Sequence, residues 1–220
     1  MTGALASTVK KGRFITLEGG EGAGKSTQIR LVADALMACG LDVVITREPG
    51  GSSGAEDIRE LLVSGDPGRW GPMTEALLHT AARRDHLERT VWPALDAGRW
   101  VISDRFADST IAYQGYGHGL KVTELERLYA LTIGSFQADL TIILDIVPEE
   151  GMARARARRH HEDRYERMDL SFHHRLRQGF WEIARRHPTR CVLVEAGHPV
   201  EAVQAAILDA ITHRLGVPAP

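Results

Sequence analysis

A short β-branched run, Phe14-Ile15-Thr16-Leu17, feeds directly into Glu18-Gly19-Gly20-Glu21-Gly22-Ala23-Gly24-Lys25-Ser26-Thr27, after which a helical pattern begins. This is G-x-x-x-x-G-K-[ST] set between a strand and a helix, the context in which that spacing builds a phosphate-binding loop. The glycines let backbone N–H groups turn toward an anion, and the helix N-terminus adds the positive end of its dipole. On this reading Gly19, Gly20, Glu21, Gly22, Ala23, Gly24, Lys25, Ser26 and Thr27 wrap the phosphates of a nucleoside triphosphate. Lys25 reaches the β- and γ-phosphates, and the Ser26 hydroxyl is a ligand for Mg²⁺. A chain built around such a loop is held to a parallel α/β sheet, because the loop works only at the carboxyl end of a strand with a helix behind it.

The remaining pattern agrees. Strands are predicted over 13–18, 43–46, 100–103, 141–144 and 192–194. Helices are predicted over 26–39, 57–63, 74–92 with a break at Pro93, 123–133 opened by a Thr123-x-x-Glu126 capping box, 148 onward, 170–186 and 200–215. The fold expected is a three-layer α/β phosphate-loop NTPase, with a central parallel sheet of about five strands flanked by helices and a short arginine-rich lid. Residues 13–216 read as one domain, with the lid over about 148–168 and loosely ordered tails at 1–12 and 217–220. At 220 residues the chain can bury a sizeable core.

Composition narrows the setting. The formal net charge is -2, which gives no global attraction to nucleic acid. The two cysteines, Cys39 and Cys191, are too few for a disulfide framework and suit a reducing compartment. No apolar run of 18 residues and no secretory h-region is present, so neither a membrane nor a nucleic-acid partner is expected, and a cytoplasmic location is.

Ligands of parallel sheets sit at the carboxyl ends of the strands, so the polar residues just past each strand should converge: Glu21, Lys25, Arg47, Glu48, Asp104, Arg105 and Asp145. Either Asp104 or Asp145 could supply the carboxylate that faces Ser26 and Mg²⁺. Spacing does not choose between them; Asp104 is favoured because Arg105 stands beside it. The run Arg154, Arg156, Arg158, Arg159, Arg164 and Arg167 also has two readings. Arg154 and Arg158 are four apart, where like charges repel unless an anion lies between them. Alternatively this is a solvated helix in which Arg158 pairs with Glu162 and Arg159 with Asp163. The triphosphate loop tips the balance toward a lid.

Five stretches occur in the order found in bacterial thymidylate kinases: the loop 18–26, Arg47-Glu48-Pro49-Gly50-Gly51, Ala81-Ala82-Arg83-Arg84, Asp104-Arg105-Phe106 followed by 109–117, and Leu144-Asp145 before the arginine run. The chain resembles that family over nearly its whole length, about 13–215. The resemblance implies transfer of the ATP γ-phosphoryl to dTMP with Mg²⁺, and a homodimer. It implies catalytic roles for Lys25, Asp104, Arg105, Arg154 and Arg158. It places Arg47, Arg59 and Arg105 at the acceptor phosphate, Glu21 at the deoxyribose 3′-hydroxyl, and Tyr113 under the sugar. Arg83 is implied as donor to thymine O4, with Thr110 and Gln114 on the pyrimidine edge and Glu48 nearby. Where the family usually carries phenylalanine, this chain has His79, an aromatic ring that can stack on the base but ordinarily titrates near neutral pH. The alternatives are another nucleoside monophosphate kinase or a non-catalytic ATP-binding protein. A GTPase is disfavoured because the chain contains no asparagine for an Asn-Lys-x-Asp guanine reader.

Overall fold

The computed structural model describes residues 12–157 and 164–217. Strands β1 (Phe14–Gly19), β2 (Val43–Arg47), β3 (Trp100–Asp104), β4 (Leu140–Asp145) and β5 (Cys191–Glu195) form one parallel sheet in the order β2-β3-β1-β4-β5. Alternation along each strand divides the core between two faces. Ile15 and Leu17 of β1, Ile102 of β3 and Leu140 and Ile142 of β4 point to the side covered by α1 (Lys25–Ala38) and α9 (Val200–Leu215), where they meet Ile29, Val32, Ile207 and Ile211. Phe14 and Val101 point to the other side and pack on Leu87, Val91 and Phe106, while Ile143 packs on Phe172, Leu176 and Phe180 of α8 (Leu170–Arg186). Three layers result, as the alternating pattern predicts.

Register brings the chemistry to one rim. Asp104 pairs with both Leu17 and Arg47, and Gly19 pairs with Leu144, so β2, β3, β1 and β4 end side by side. The chain turns outward in both directions from β1, which puts the crevice of the sheet over the phosphate loop.

Several expectations change. Helix α2 (Ser53–Val63) begins four residues before its predicted start. Helix α3 (Pro72–His86) does not break at Pro93. It passes through a wider, π-type turn (Leu87–Val91) into α4 (Trp92–Asp96), whose first turn accepts the proline because no N–H is needed there. The capping box does not form. Helix α6 (Val122–Thr132) starts one residue early, the backbone N–H groups of Glu124 and Leu125 donate to Lys121 O, and no side chain caps it. A helix unassigned by the sequence, α5 (Ala107–Thr110), continues as a π-type segment (Ile111–Gly117). Pro148 opens α7 (Pro148–Arg156) as predicted. Val217 is buried in the core, and a Cβ on Gly12 would lie 2.3 Å from Arg99 O.

Candidate active site

The phosphate loop is shaped by what presses on it. Gly22 has φ +69°, and a Cβ there would lie 1.9 Å from Gly151 O; a Cβ on Gly151 would in turn lie 2.4 Å from Glu21 O. The loop and the first turns of α7 therefore interlock through two glycines. Inside the loop, Lys25 Nζ donates to Gly19 O at 3.1 Å and Gly20 O at 2.9 Å. Burial and the neighbouring Arg105 outweigh the carboxylates around Lys25 and bring its pKa down to about 8. Ser26 Oγ donates to Asp104 Oδ2 at 3.0 Å. Asp145 is engaged elsewhere, in a two-point pair with Arg177 at 2.8 Å, so it neither faces Ser26 nor caps the helix that follows. A hydroxyl and a carboxylate oxygen side by side next to Lys25 are the hard oxygen donors that suit Mg²⁺, which takes few protein ligands beside phosphate and water.

Arg105 occupies the centre. Its φ of +71° makes it the one non-glycine residue among those described with a left-handed backbone, held by its N–H to Leu17 O at 2.9 Å and by Phe106 N–H to Glu18 Oε1 at 2.8 Å. This turn aims the guanidinium back over the loop, where it donates to Gly19 O (2.9 Å), Ser109 Oγ (3.1 Å) and Glu21 Oε1 (3.1 Å). Tyr113 Oη also donates to Glu21 Oε1, at 2.6 Å. Burial alone would raise the Glu21 carboxyl, but Arg105 and Lys25 outweigh it and hold the group below its usual range. Beneath them Glu18 is fully buried beside Asp108, and burial with that like charge pushes its pKa up to about 8.

The far end of the cleft is a buried polar framework. Arg83 Nε donates to Glu48 Oε2 at 2.7 Å, and its Nη2 donates to Phe106 O and Thr110 Oγ1 at 3.0 Å. Glu48 Oε1 accepts from His86 Nδ1 at 3.0 Å, and His86 Nε2 lies 2.7 Å from Thr46 Oγ1. Glu48 thus holds Arg83 in place. Glu75, buried in α3, gathers Arg164 (2.5 Å), Gln114 Nε2 (2.7 Å) and Tyr165 Oη (2.9 Å). Tyr165 Oη lies in turn 2.9 Å from His79 Nε2. Burial, with Arg83, Arg105 and Arg164 nearby, brings the His79 pKa down to about 3, so it is a neutral ring and not a group titrating near pH 6.5. Toward the opening, Arg47 pairs with Glu56 at 3.0 Å and Arg59 donates to Pro49 O at 2.6 Å.

One cleft of about 710 Å³ opens among these groups. It brings together Glu21 through Thr27, Arg47, Glu48, Arg59, His79, Arg83, Asp104, Arg105, Thr110, Tyr113 and Gln114. Of the predicted loop residues, Gly20 borders a small cavity behind and Gly19 ends β1. Arg154 is not in the cleft: its helical phase turns it toward the β5–α9 connection, where it pairs with Glu150 and donates to Ala196 O at 3.0 Å. Arg158, with the Glu162 and Asp163 pairings weighed for the arginine run, lies outside the described residues. Arg164 belongs to no mobile arginine set, because it is 0% exposed and donates to Leu62 O, Asp66 O and Pro67 O as well as to Glu75. Glu75 and Tyr165 are contributors that the sequence reading missed. A lone tyrosine inside Arg164-Tyr165-Glu166-Arg167 was the available signal, hidden by the charges around it.

A family model described as thymidylate kinase matches residues 17–207. The thymidylate kinase of Caulobacter vibrioides is 54% identical over 207 residues, covering 94% of this chain and 99% of the relative. That of Dinoroseobacter shibae is 51% identical over 201 residues, covering 91% and 97%. Among solved structures, the crystal structure of thymidylate kinase from Ehrlichia chaffeensis superposes with a TM-score of 0.73 at 33% identity, covering 91% of this chain and 99% of that one.

Proposed function

The chain belongs to the thymidylate kinase family, and from that premise we propose that its cleft carries the γ-phosphoryl of ATP to the 5′-phosphate of dTMP, giving ADP and dTDP. The observation that carries this reading is the order of groups along one cleft. Lys25, Ser26 and Asp104 stand at one end, Arg105 in the middle, and Arg83, Gln114 and His79 at the other. An acceptor phosphate bound at Arg105 meets a donor phosphate bound at the loop.

In the transfer, an acceptor phosphate oxygen forms a bond to the γ-phosphorus while the bond to the β–γ bridging oxygen breaks. The acceptor oxygen is already anionic, so positioning and charge neutralisation do the work and no strong base is needed. Lys25 and the loop N–H groups hold the donor; Arg105, Arg47 and Arg59 hold the acceptor phosphate. Ser26 and Asp104 would hold Mg²⁺, which when bound neutralises phosphate charge. Glu21, kept ionised by Arg105 and Lys25, accepts from the 3′-hydroxyl, and Tyr113, tied to Glu21, packs against the sugar. Arg83 donates to thymine O4, where cytosine presents an amino donor; Thr110, Gln114 and a stacked His79 complete the base site, with Glu48 as the counter-ion of Arg83.

We read 13–216 as one catalytic unit whose lid segment, about 148–168, is anchored at Gly151 and Arg164 and adds Arg154 and Arg158 over the transferring group once Arg154 leaves Ala196 O. That closure excludes water as a competing acceptor. The reading includes a homodimer, supported by Leu77 on α3 and Leu131 on α6, 50% and 85% exposed. It includes a cytoplasmic location; no helix among the described residues is long and apolar enough to cross a membrane.

The test is ADP release with ATP, Mg²⁺ and a panel of dTMP, dUMP, UMP, CMP, dCMP and dGMP. The highest kcat/KM is expected for dTMP. A better substrate elsewhere in the panel overturns the specificity, and no turnover with any of them overturns the activity.

A further inference from the structure

We propose that Glu75 is a specificity-determining positioning residue: it fixes which end of the Gln114 amide faces the pyrimidine. This rests on the function proposed above and extends it to a residue that does not line the cleft.

The reasoning begins from a difference between two readers of one base edge. A guanidinium can only donate, so Arg83 cannot be misread however it turns. A glutamine amide has an oxygen and a nitrogen of nearly equal size. Rotated by half a turn, it would present a donor where it had presented an acceptor, and would then suit N3 of cytosine as well as it had suited N3–H of thymine. Discrimination by Gln114 therefore needs something that forbids the rotation.

Glu75 does so. It is 1% exposed, paired at 2.5 Å with the fully buried Arg164, and its oxygens in that pair can only accept. Gln114 must turn its Nε2 toward Glu75 Oε1, at 2.7 Å. The amide oxygen is then directed away from Glu75. Gln114 is 1% exposed and lines the cleft, and its Oε1 is a buried atom that accepts no hydrogen bond among the described residues. A buried acceptor without a donor is costly unless a ligand supplies one. The N3–H of thymine is such a donor; cytosine N3, a lone pair, is not.

The same carboxylate sets a second polarity. Tyr165 Oη must donate to Glu75, so the 2.9 Å contact between Tyr165 Oη and His79 Nε2 has the imidazole donating. Neutral His79 is thereby held as its Nε2–H tautomer. One buried carboxylate thus orients two groups of the base site from behind.

The experiment measures kcat/KM for dTMP and dCMP in wild type, Glu75→Gln, Gln114→Met and the double variant. Glu75→Gln can accept from or donate to Gln114, so the dTMP-over-dCMP ratio should fall on the order of 10- to 100-fold. In the Gln114→Met background the same change should leave the ratio untouched. An equal fall in both backgrounds, or none in either, overturns the assignment and leaves Glu75 as an anchor for Arg164. If Glu75→Gln does not fold by circular dichroism, 3-methyl-dTMP decides. Wild type should reject it against dTMP by about 10- to 100-fold, and Gln114→Met should lose that rejection; equal rejection by both overturns the proposal. Failure of wild type to turn over dTMP refutes the function itself, a different outcome from an unchanged ratio.

Discussion

Replacing Arg164 by methionine separates two meanings of the arginine-rich segment. In the structure this side chain has no solvent exposure and spends its donors on Leu62 O (3.1 Å), Asp66 O (3.1 Å), Pro67 O (2.9 Å) and Glu75 Oε2 (2.5 Å). Methionine fills much of the volume but leaves Glu75 a buried carboxylate without its counter-ion. Breaking such a pair from one side costs about 3–5 kcal/mol. For a chain of this size each kcal/mol moves Tm by roughly 2–4 °C, so the variant should melt about 6–20 °C below wild type. Thermal melts by circular dichroism measure that, and steady-state kcat at 25 °C on the folded protein measures catalysis. The expectation is a large fall in Tm with kcat within about threefold of wild type, since the partners of Arg164 are Leu62, Asp66, Pro67 and Glu75, none in the phosphate loop, and its loss removes no transition-state contact. An unchanged Tm with kcat reduced a hundredfold would refute the reasoning and return Arg164 to the phosphates.

Two further outcomes follow from the pKa directions. Lys25 sits at about 8 in the free protein, so kcat/KM for ATP should fall as pH rises past that value and the ammonium deprotonates. The kcat profile should hold to higher pH, because bound phosphates favour the charged form; identical profiles would contradict this. His79, brought down to about 3, is uncharged throughout pH 5.5–8. Over that range the KM for dTMP should follow only the substrate's own 5′-phosphate, which titrates at about 6, with the same profile shape in His79→Ala, while that change should raise KM roughly 3- to 10-fold by loss of stacking; an unchanged KM would remove His79 from the base site.

What the sequence made legible was whatever depends on spacing alone. The loop and the order of strand and helix follow from residues fixed by a strand end, and strand ends are marked by apolar runs; Asp104 and Asp145 both end a strand, and only the neighbouring Arg105 favours the first. The helical stretch through 107–117 was not legible, because Ala-Tyr-Gln-Gly-Tyr-Gly has poor helix propensity and is stabilised by packing of Tyr113 on Phe172 and Phe180. Arginine position was not legible either. Arg154 and Arg164 look alike in a charge run, yet one caps a turn at Ala196 O and the other is swallowed by the carbonyls of 62–67. Burial of a charge is decided by partners distant in sequence, and Glu75 lies 89 positions from Arg164. The backbone of Arg105 belongs to the same class: a left-handed arginine is imposed by Leu17 and Glu18, not announced by its own neighbours.

The chain from Thr46 through His86 and Glu48 to Arg83 has a bearing on how such a protein can change over time. On the function proposed above Arg83 reads the base, and the members that hold it, Glu48 and His86, are both buried. A mutation that silences Arg83 strands Glu48 as an uncompensated interior charge, at a cost of about 3–5 kcal/mol. A lineage drifting toward another pyrimidine would therefore lose folded protein before it gained a new substrate. Escape requires the arginine, its carboxylate and the imidazole to change together. Fidelity of substrate choice is protected here by the selection that acts on stability.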